Sequence, residues 1–241
     1  MTGGGSVGVG GSLTVMPVEG MPEVRRGDDV AAIIAGLVQL ADGDVVVVTQ
    51  KIVSKAEGQV VPVDHDDPAA RLAVVESESV RILRRRGELI VSETRHGFVC
   101  ANAGVDLSNV DEGWACLLPV DPDRSARRIR DGLRAATGAD VGVIVSDTFG
   151  RAWRKGVVDV AIGCAGIAGV VDLRGTPDDR GRTLVATEVC VADEIASAAE
   201  LVMGKSTKVP VAVVRGVDPG WFRRSSVREE IVRPVGEDLF R

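Results

Sequence analysis

An apolar run that ends in an acid and a hydroxyl constrains the fold of this chain more than any other segment. Residues 141–145 are apolar, which predicts a buried strand, and Asp147 and Thr148 follow at its end. Gly150 then turns the chain, and Arg151 is the first of several cations. An acid and a hydroxyl beside cations suit a hard metal ion that holds phosphate. A solvated turn after a core strand would have the same composition, so this segment alone does not distinguish the two interpretations.

A second acid lies in a short polar loop between two apolar stretches. The loop spans residues 102–109 and contains Asp106 and Asn109. Oxygen ligands of Mg²⁺ or Mn²⁺ usually come from separate parts of a chain, so Asp106 and Asp147 form a candidate pair. An Asx-type turn that satisfies its own backbone is the alternative, and for Asn109 alone it is the favoured one.

The third segment combines a β-branched strand with two lysines. Residues 44–49 are rich in valine, which predicts a strand, and Lys51 and Lys55 come just after it. Most of the 29 cationic residues are arginines, so two lysines at one strand end are conspicuous. A lysine presents a compact point charge to phosphate. Two solvated surface lysines are the alternative, which fits Lys51 better than Lys55.

These three segments, in this order and spacing, resemble the coenzyme F420-0:L-glutamate ligase family, and most of all the N-terminal ligase domain of its actinobacterial two-domain forms. Many motifs in one order argue against chance similarity. They lie at residues 16–22, 27–29, 42–44, 53–58, 102–109, 118–123, 146–151, 191–196, 203–204 and 213–216.

The resemblance implies one ligase domain at residues 13–232. A glycine-rich tail at residues 1–12 precedes it, and its composition predicts disorder. Residues 233–241 form a C-terminal tail at the position where two-domain relatives continue into a nitroreductase-like domain.

The resemblance implies a GTP-dependent ligase that adds L-glutamate to coenzyme F420-0 and extends its gamma-linked oligoglutamate tail. Phosphorylation of the acceptor carboxylate to an acyl phosphate would precede attack by the glutamate amine, releasing GDP and phosphate. Such a step depends on positioning and on charge neutralisation at the terminal phosphate. The residues themselves do not determine the number of glutamates added, the exact precursor accepted or the choice of GTP over ATP.

The resemblance also assigns roles to individual residues. It implies Asp106 and Asp147 as ligands of one Mg²⁺ or Mn²⁺ and Thr148 as a ligand of a second, with K⁺ as a further candidate cofactor. Lys205 stands where some relatives carry an acid near the second metal, which weakens that assignment. The implied catalytic residues are Lys55, Asp147 and Arg151. The implied nucleotide contacts are Glu19, Gly20, Met21, Pro22, Thr49, Gln50, Lys55, Asn109, Gly204 and Lys205.

Periodicity and boundary residues predict helices at residues 28–40, 68–86, 122–137 and 191–203. Predicted strands lie at residues 13–18, 44–49, 59–63, 88–93, 98–101, 115–118, 141–145, 169–173, 185–191 and 210–214. So many strands do not alternate with helices as in a doubly wound sheet. We expect an α+β fold with mixed, largely antiparallel sheets and flanking helices in two lobes. The resemblance adds an intertwined homodimer with active sites near the subunit interface.

Composition excludes several classes of partner. A net charge of −6 argues against a nucleic-acid surface, and no apolar run is long enough to span a bilayer. The four cysteines are dispersed through apolar runs, which predicts buried thiols in a reducing compartment. The expected location is therefore the cytoplasm, and the expected partners are F420-0 or its glutamylated forms, L-glutamate and GTP.

Two other classes of function use the same residues. A divalent-metal phosphotransferase or phosphatase could place Asp106, Asp147 and Lys55 around another phosphorylated substrate, and it would release phosphate without glutamate. A non-catalytic nucleotide- or deazaflavin-binding protein would bind GTP and turn nothing over. The resemblance ranks the ligase first.

Overall fold

A computed structural model describes residues 11–238 of the chain. Residues 1–10 of the predicted N-terminal tail and residues 239–241 of the predicted C-terminal tail lie outside it. The strands are β1 (Thr14–Pro17), β2 (Val45–Thr49), β3 (Val60–Pro62), β4 (Ser79–Arg86), β5 (Leu89–Thr94), β6 (Val99–Ala101), β7 (Trp114–Cys116), β8 (Gly142–Gly150), β9 (Val157–Ala165), β10 (Val171–Asp172), β11 (Glu188–Val189) and β12 (Val211–Arg215).

Six α-helices lie among the described residues. They are α1 (Val30–Leu37), α2 (Gln50–Glu57), α3 (Pro68–Ser77), α4 (Pro122–Thr137), α5 (Val191–Met203) and α6 (Val227–Glu230). Within residues 11–238, no helix has the length and apolar character that crossing a membrane requires.

The core is a five-stranded sheet with the strand order β1-β12-β2-β8-β9. Every residue from Val45 to Val48 on β2 is fully buried. Since successive side chains of a strand point to opposite faces, both faces of the sheet are covered. Helices α4 and α5 pack directly against the sheet, and α1 packs against α4. Three small sheets complete the fold, with the orders β4-β5-β6, β3-β7 and β10-β11.

One parallel pair at the centre of the sheet positions the functional site. Strands β2 and β8 run parallel, with Val45 opposite Gly142 and Thr49 opposite Ser146. The other neighbours in this sheet are antiparallel. The predicted α+β class with mixed, largely antiparallel sheets is confirmed. The carboxyl ends of β2 and β8 meet at one edge, so the polar residues after each strand become neighbours.

The helix predicted at residues 68–86 is wrong in its second half. Helix α3 ends at Ser77, and β4 continues through Arg86. This strand pairs antiparallel with β5 across a turn at Gly87, which adopts a φ of 61°. The spacing of the apolar residues among the arginines of this segment fits both a helix and a strand. Pairing with β5 favours the strand, because it provides hydrogen-bond partners for the backbone N–H and carbonyl groups.

Several elements of the structure were not predicted, and some predicted elements are shorter, such as α1 and β10. Helix α2 begins directly after β2, where polar residues gave no clear helical period. Strand β9 was not predicted, because its small residues and glycine conceal the alternation that pairing with β8 reveals. The strand predicted at residues 185–191 is reduced to β11, since Val191 already begins α5.

The predicted ends of two helices are confirmed. The Asp121 carboxylate accepts a hydrogen bond from the backbone N–H of Arg124 at 2.8 Å, and Pro122 occupies the first turn of α4. Gly138 closes the same helix with a φ of 78°. At the end of α5, the N–H of Gly204 donates to the carbonyl of Glu200 at 2.9 Å, as expected of a C-cap.

The cysteines are free thiols, and most of them are buried. Cys100, Cys116 and Cys164 are buried, whereas Cys190 is half-buried. Burial raises the pKa of Cys100 to about 12 and that of Cys116 to about 11. The prediction of buried thiols is therefore confirmed for three of the four positions.

The first turn of α4 packs closely on β9. A Cβ atom on Gly163 would lie 2.3 Å from the backbone carbonyl of Pro122, so only glycine fits there. The buried Asp123 carboxylate accepts hydrogen bonds from the N–H of Cys164 at 2.9 Å and of Val227 at 2.8 Å. One side chain therefore ties α4 to both β9 and α6.

Gly163→Ala should lower the free energy of unfolding by about 1–3 kcal/mol, since overpacking against backbone forces elements apart. Urea denaturation measures the change. Gly36→Ala is the matched control, because it lies within α1 and nothing lies within 4 Å of its added Cβ. The control should be neutral or stabilising by up to about 1 kcal/mol. Equal stabilities for Gly163→Ala and the wild type would contradict the close contact.

Candidate active site

A cleft of about 980 Å³ opens where β2 and β8 end. Its walls come from the carboxyl ends of both strands, from α2, from the loop after β6 and from the loop after α5. Eleven residues singled out from the sequence line it, namely Met21, Pro22, Thr49, Gln50, Lys55, Asp106, Asn109, Asp147, Thr148, Gly204 and Lys205. The structure therefore brings together segments that are far apart in the chain.

Three residues assigned by resemblance lie elsewhere. Glu19 and Gly20 precede the part of their turn that reaches the cleft, and neither is among the lining residues. Arg151 is exposed in the connection between β8 and β9, where its guanidinium donates to the carbonyl of Lys155 at 2.6 Å. None of these three residues forms part of the cleft wall.

Asp147 is the acid with the most unusual environment in the cleft. Strand β8 continues beyond its apolar part, so Asp147 lies within the strand, opposite Val160 of β9. Burial raises the pKa of its carboxyl from 3.8 to about 7, and the charges of Asp106 and Asp159 act in the same direction. The backbone N–H of Thr148 and the charge of Lys51 oppose this rise without cancelling it. No ion pair involves Asp147 within residues 11–238.

Asp106, by contrast, has its own cation. The Lys51 ammonium lies 2.8 Å from its carboxylate and donates to the Ser108 hydroxyl at 2.9 Å. Burial raises the pKa of Asp106, but hydrogen bonds from Lys51 and Ser108 outweigh burial and leave it below the usual 3.8. The backbone of Asp106 also exchanges hydrogen bonds of 2.9 and 2.8 Å with Cys116, which anchors the loop. Lys51, the lysine less favoured by sequence, is thus a site residue.

Asp159 is a site residue that sequence reasoning missed. It is only 2% exposed, and it accepts hydrogen bonds from the hydroxyls of Ser146 at 3.0 Å and Thr148 at 2.7 Å. The Lys205 ammonium lies 2.9 Å from the same carboxylate and 2.8 Å from Glu200. The only hint in the sequence was an acid within the apolar start of β9. The pairing of β8 with β9 is needed to show that this acid lies opposite Thr148.

The start of α2 presents unused hydrogen-bond donors to the cleft. Gln50 is the first residue of the helix and is 1% exposed. Its carbonyl oxygen accepts from Ser54 at 3.0 Å, while its amide nitrogen has no partner among the described residues. Thr49, at the N-cap, makes no side-chain capping bond. Free donors at a helix N-terminus favour an anionic ligand such as phosphate. Lys55, one turn later, is ion-paired with Glu23.

Residues 20–216 match the sequence model of a known family, F420-0:Gamma-glutamyl ligase. The chain belongs to the F420-0:gamma-glutamyl ligase family. The resemblance inferred from the motifs is thereby confirmed, and every residue that lines the cleft falls within the matched region.

Individual members of this family are similar to the chain over nearly their whole length. A protein of Methanothermobacter thermautotrophicus named Coenzyme F420:L-glutamate ligase is 44% identical over 95% of this chain and 99% of its own. A protein of the same name from Methanopyrus kandleri is 43% identical over 96% and 100%. One from Archaeoglobus fulgidus is 41% identical over 95% and 96%.

The cleft of this family member fits one divalent cation better than two. No group of three His, Cys, Asp or Glu side chains forms a complete metal site in residues 11–238. Mg²⁺, however, often uses one or two carboxylates and completes its shell with water and phosphate. Asp106 and Asp147 suit this arrangement, because the half-buried Asp147 lies near other acids and has no ion-pair partner in residues 11–238. The Thr148 hydroxyl is already engaged with Asp159 and Lys205.

The raised pKa of Asp147 predicts a pH-dependent effect of Asp147→Asn on the metal-free protein. The unfolded chain releases this proton near the usual 3.8 and the folded chain near 7, so wild-type stability falls as the pH rises between these values. The Asp147→Asn variant has no carboxyl at this position, so its stability does not fall for this reason. We expect equal stabilities near pH 4 and a variant more stable by roughly 1–2 kcal/mol at pH 8, discounted for partial solvent exposure.

Urea denaturation of both proteins at the two pH values measures this difference. Asp111→Asn is the matched control, since Asp111 is an exposed acid of the same cleft. Its effect should not change with pH. An Asp147→Asn effect of the same size at both pH values would contradict the inferred burial of the charge.

Proposed function

We propose that this chain is a GTP-dependent ligase that joins L-glutamate to coenzyme F420-0 and extends the gamma-linked glutamate tail. Membership of the family and three relatives named Coenzyme F420:L-glutamate ligase support the reaction class. The observation that carries the proposal is Asp147, a half-buried acid without an ion-pair partner in residues 11–238, beside the unused donors that begin α2. This arrangement suits phosphate and a divalent cation at one place.

The ligation requires an activated carboxylate, because a carboxylate is a poor electrophile and amide formation in water is unfavourable. Transfer of the GTP terminal phosphate to the acceptor carboxylate gives an acyl phosphate, and the glutamate amine displaces phosphate from it. Asp106 and Asp147 would hold Mg²⁺ or Mn²⁺, which supplies charge neutralisation at the transferred phosphate. The Gln50 amide, the free N–H groups at the start of α2 and Lys55 would orient the phosphates.

Lys55 and Lys51 would act differently on an anionic substrate. Lys55 is paired with Glu23, whose side chain is largely exposed, so an entering phosphate can replace that carboxylate at low cost. Lys51 is held between Asp106 and Ser108, where it fixes the Asp106 carboxylate. We therefore assign substrate binding to Lys55 and positioning of Asp106 to Lys51.

Several finer features stay predictions. They are the preference for GTP over ATP, a requirement for K⁺, the homodimer and the division into two lobes. Phosphotransfer to another acceptor is the second candidate, because the donors and acids of the cleft serve phosphate chemistry in general.

The decisive assay combines the purified protein with F420-0, GTP, Mn²⁺ and L-glutamate and reads the deazaflavin by mass spectrometry. We expect a mass gain of one or more glutamyl units that requires glutamate, nucleotide and metal. Phosphate release without a glutamylated product would instead support the phosphotransferase. Replacing GTP with ATP in the same assay tests the nucleotide preference.

Asp147→Asn should lower kcat by at least about 100-fold, the order of effect that loss of one electrostatic partner of a transition state produces. The variant keeps the side-chain volume, so its thermal unfolding should remain cooperative. Asp111→Asn in the same cleft should retain wild-type kcat. Near-normal turnover by a folded Asp147→Asn variant would exclude the proposed role of this acid.

A further inference from the structure

The loop after α5 carries a cation into the centre of the cleft. The Lys205 ammonium lies 2.9 Å from Asp159 and 2.8 Å from Glu200, and it donates to the hydroxyl of Thr148. The acceptors come from three elements, β8, β9 and α5, and they converge on one point. Gly204 ends α5 immediately before this lysine and so directs it back over the cleft.

The surroundings of this point make a cation necessary. Asp159 is only 2% exposed, and an ionised carboxylate at that depth is costly without compensation. The hydroxyls of Ser146 and Thr148 supply hydrogen bonds to it but no charge. The Lys205 side chain is 55% exposed, so it reaches the buried acid from the solvent side of the cleft.

The charges around the cleft favour one divalent cation. Six acids and four lysines line the cleft, namely Glu23, Asp106, Asp111, Asp147, Asp159 and Glu200 with Lys51, Lys55, Lys205 and Lys208. Two negative charges therefore remain when all the acids are ionised. One divalent cation neutralises them, whereas a second would leave an excess of positive charge at a site where Lys205 already occupies the acceptors.

We propose that the Lys205 ammonium takes the place of a second divalent cation, so that the cleft binds one divalent cation, between Asp106 and Asp147. This inference rests on the metal site of the proposed function. It assigns to Lys205 the neutralisation of Asp159 and Glu200 and the orientation of the Thr148 hydroxyl. Because a lysine is part of the chain, this half of the site carries its positive charge at any concentration of free metal.

Counting bound Mn²⁺ tests the inference without any assay of activity. Free Mn²⁺ gives a sharp electron paramagnetic resonance signal that is lost on binding, so titration of chelator-treated, full-length protein yields the number bound per chain. We expect Lys205→Glu to bind one more Mn²⁺ than the wild type. The substitution removes the ammonium and leaves the Thr148, Asp159 and Glu200 oxygens available, with a further carboxylate.

Two variants make the comparison specific. Lys208→Glu changes the charge of the same loop and the same cleft by the same amount, and it should leave the number of bound Mn²⁺ unchanged. Lys205→Ala removes the ammonium without adding an acid, and it should also gain one Mn²⁺, with weaker affinity. Thermal unfolding shows whether each variant folds. If Lys205→Glu does not fold, Lys205→Ala still tests the inference.

Two Mn²⁺ bound per wild-type chain would overturn the inference, and so would the absence of a gain in folded Lys205 variants. A gain in Lys208→Glu as large as in Lys205→Glu would also overturn it, because loop charge alone would then explain the effect. The ligase assay on the same preparations separates this outcome from failure of the proposed function. If the wild type binds two Mn²⁺ and glutamylates F420-0, only the role of Lys205 is rejected. If it binds one Mn²⁺ and does not glutamylate F420-0, only the ligase function is rejected.

Discussion

The site depends on the parallel pairing of β2 and β8 at the centre of the main sheet. Their register places Thr49 opposite Ser146, so the chain leaves both strands at the same edge. Both strands are buried through most of their length, and a slip by one residue would turn Asp147 to the other face. The hydrophobic core therefore fixes the position of the acid at the cleft.

Charge compensation is the second constraint, and it is uneven. Asp106 and Asp159 each have a lysine, whereas Asp147 lies near them without an ion-pair partner in the part of the chain that the structure describes. The uneven arrangement stores unfavourable electrostatic energy at Asp147, which a divalent cation can relieve on binding. The same imbalance accounts for the raised pKa of Asp147 and supports the proposed position of the metal.

Much of the site was predictable, because its residues follow strongly patterned strands. The valine-rich β2 and the apolar start of β8 identified Asp147, Thr148 and Lys55 as residues at strand ends. Asp159 was not predictable in this way. Its strand has too many small residues to show a clear period, and its role depends on lying opposite Thr148 in the paired strand. Lys51 was undervalued for a similar reason, since its partner Asp106 is remote in sequence.

Sequence alone determined the class of the fold, the family and eleven of the residues that line the cleft, because these depend on local pattern and on motif order. The tertiary structure decided that residues 79–86 form a strand, that Arg151 lies outside the cleft wall and that Lys205 meets Asp159 and Glu200. Each of these depends on contacts between residues distant in the chain. Local propensity does not encode such contacts, and only the packed sheet brings the groups within hydrogen-bond distance.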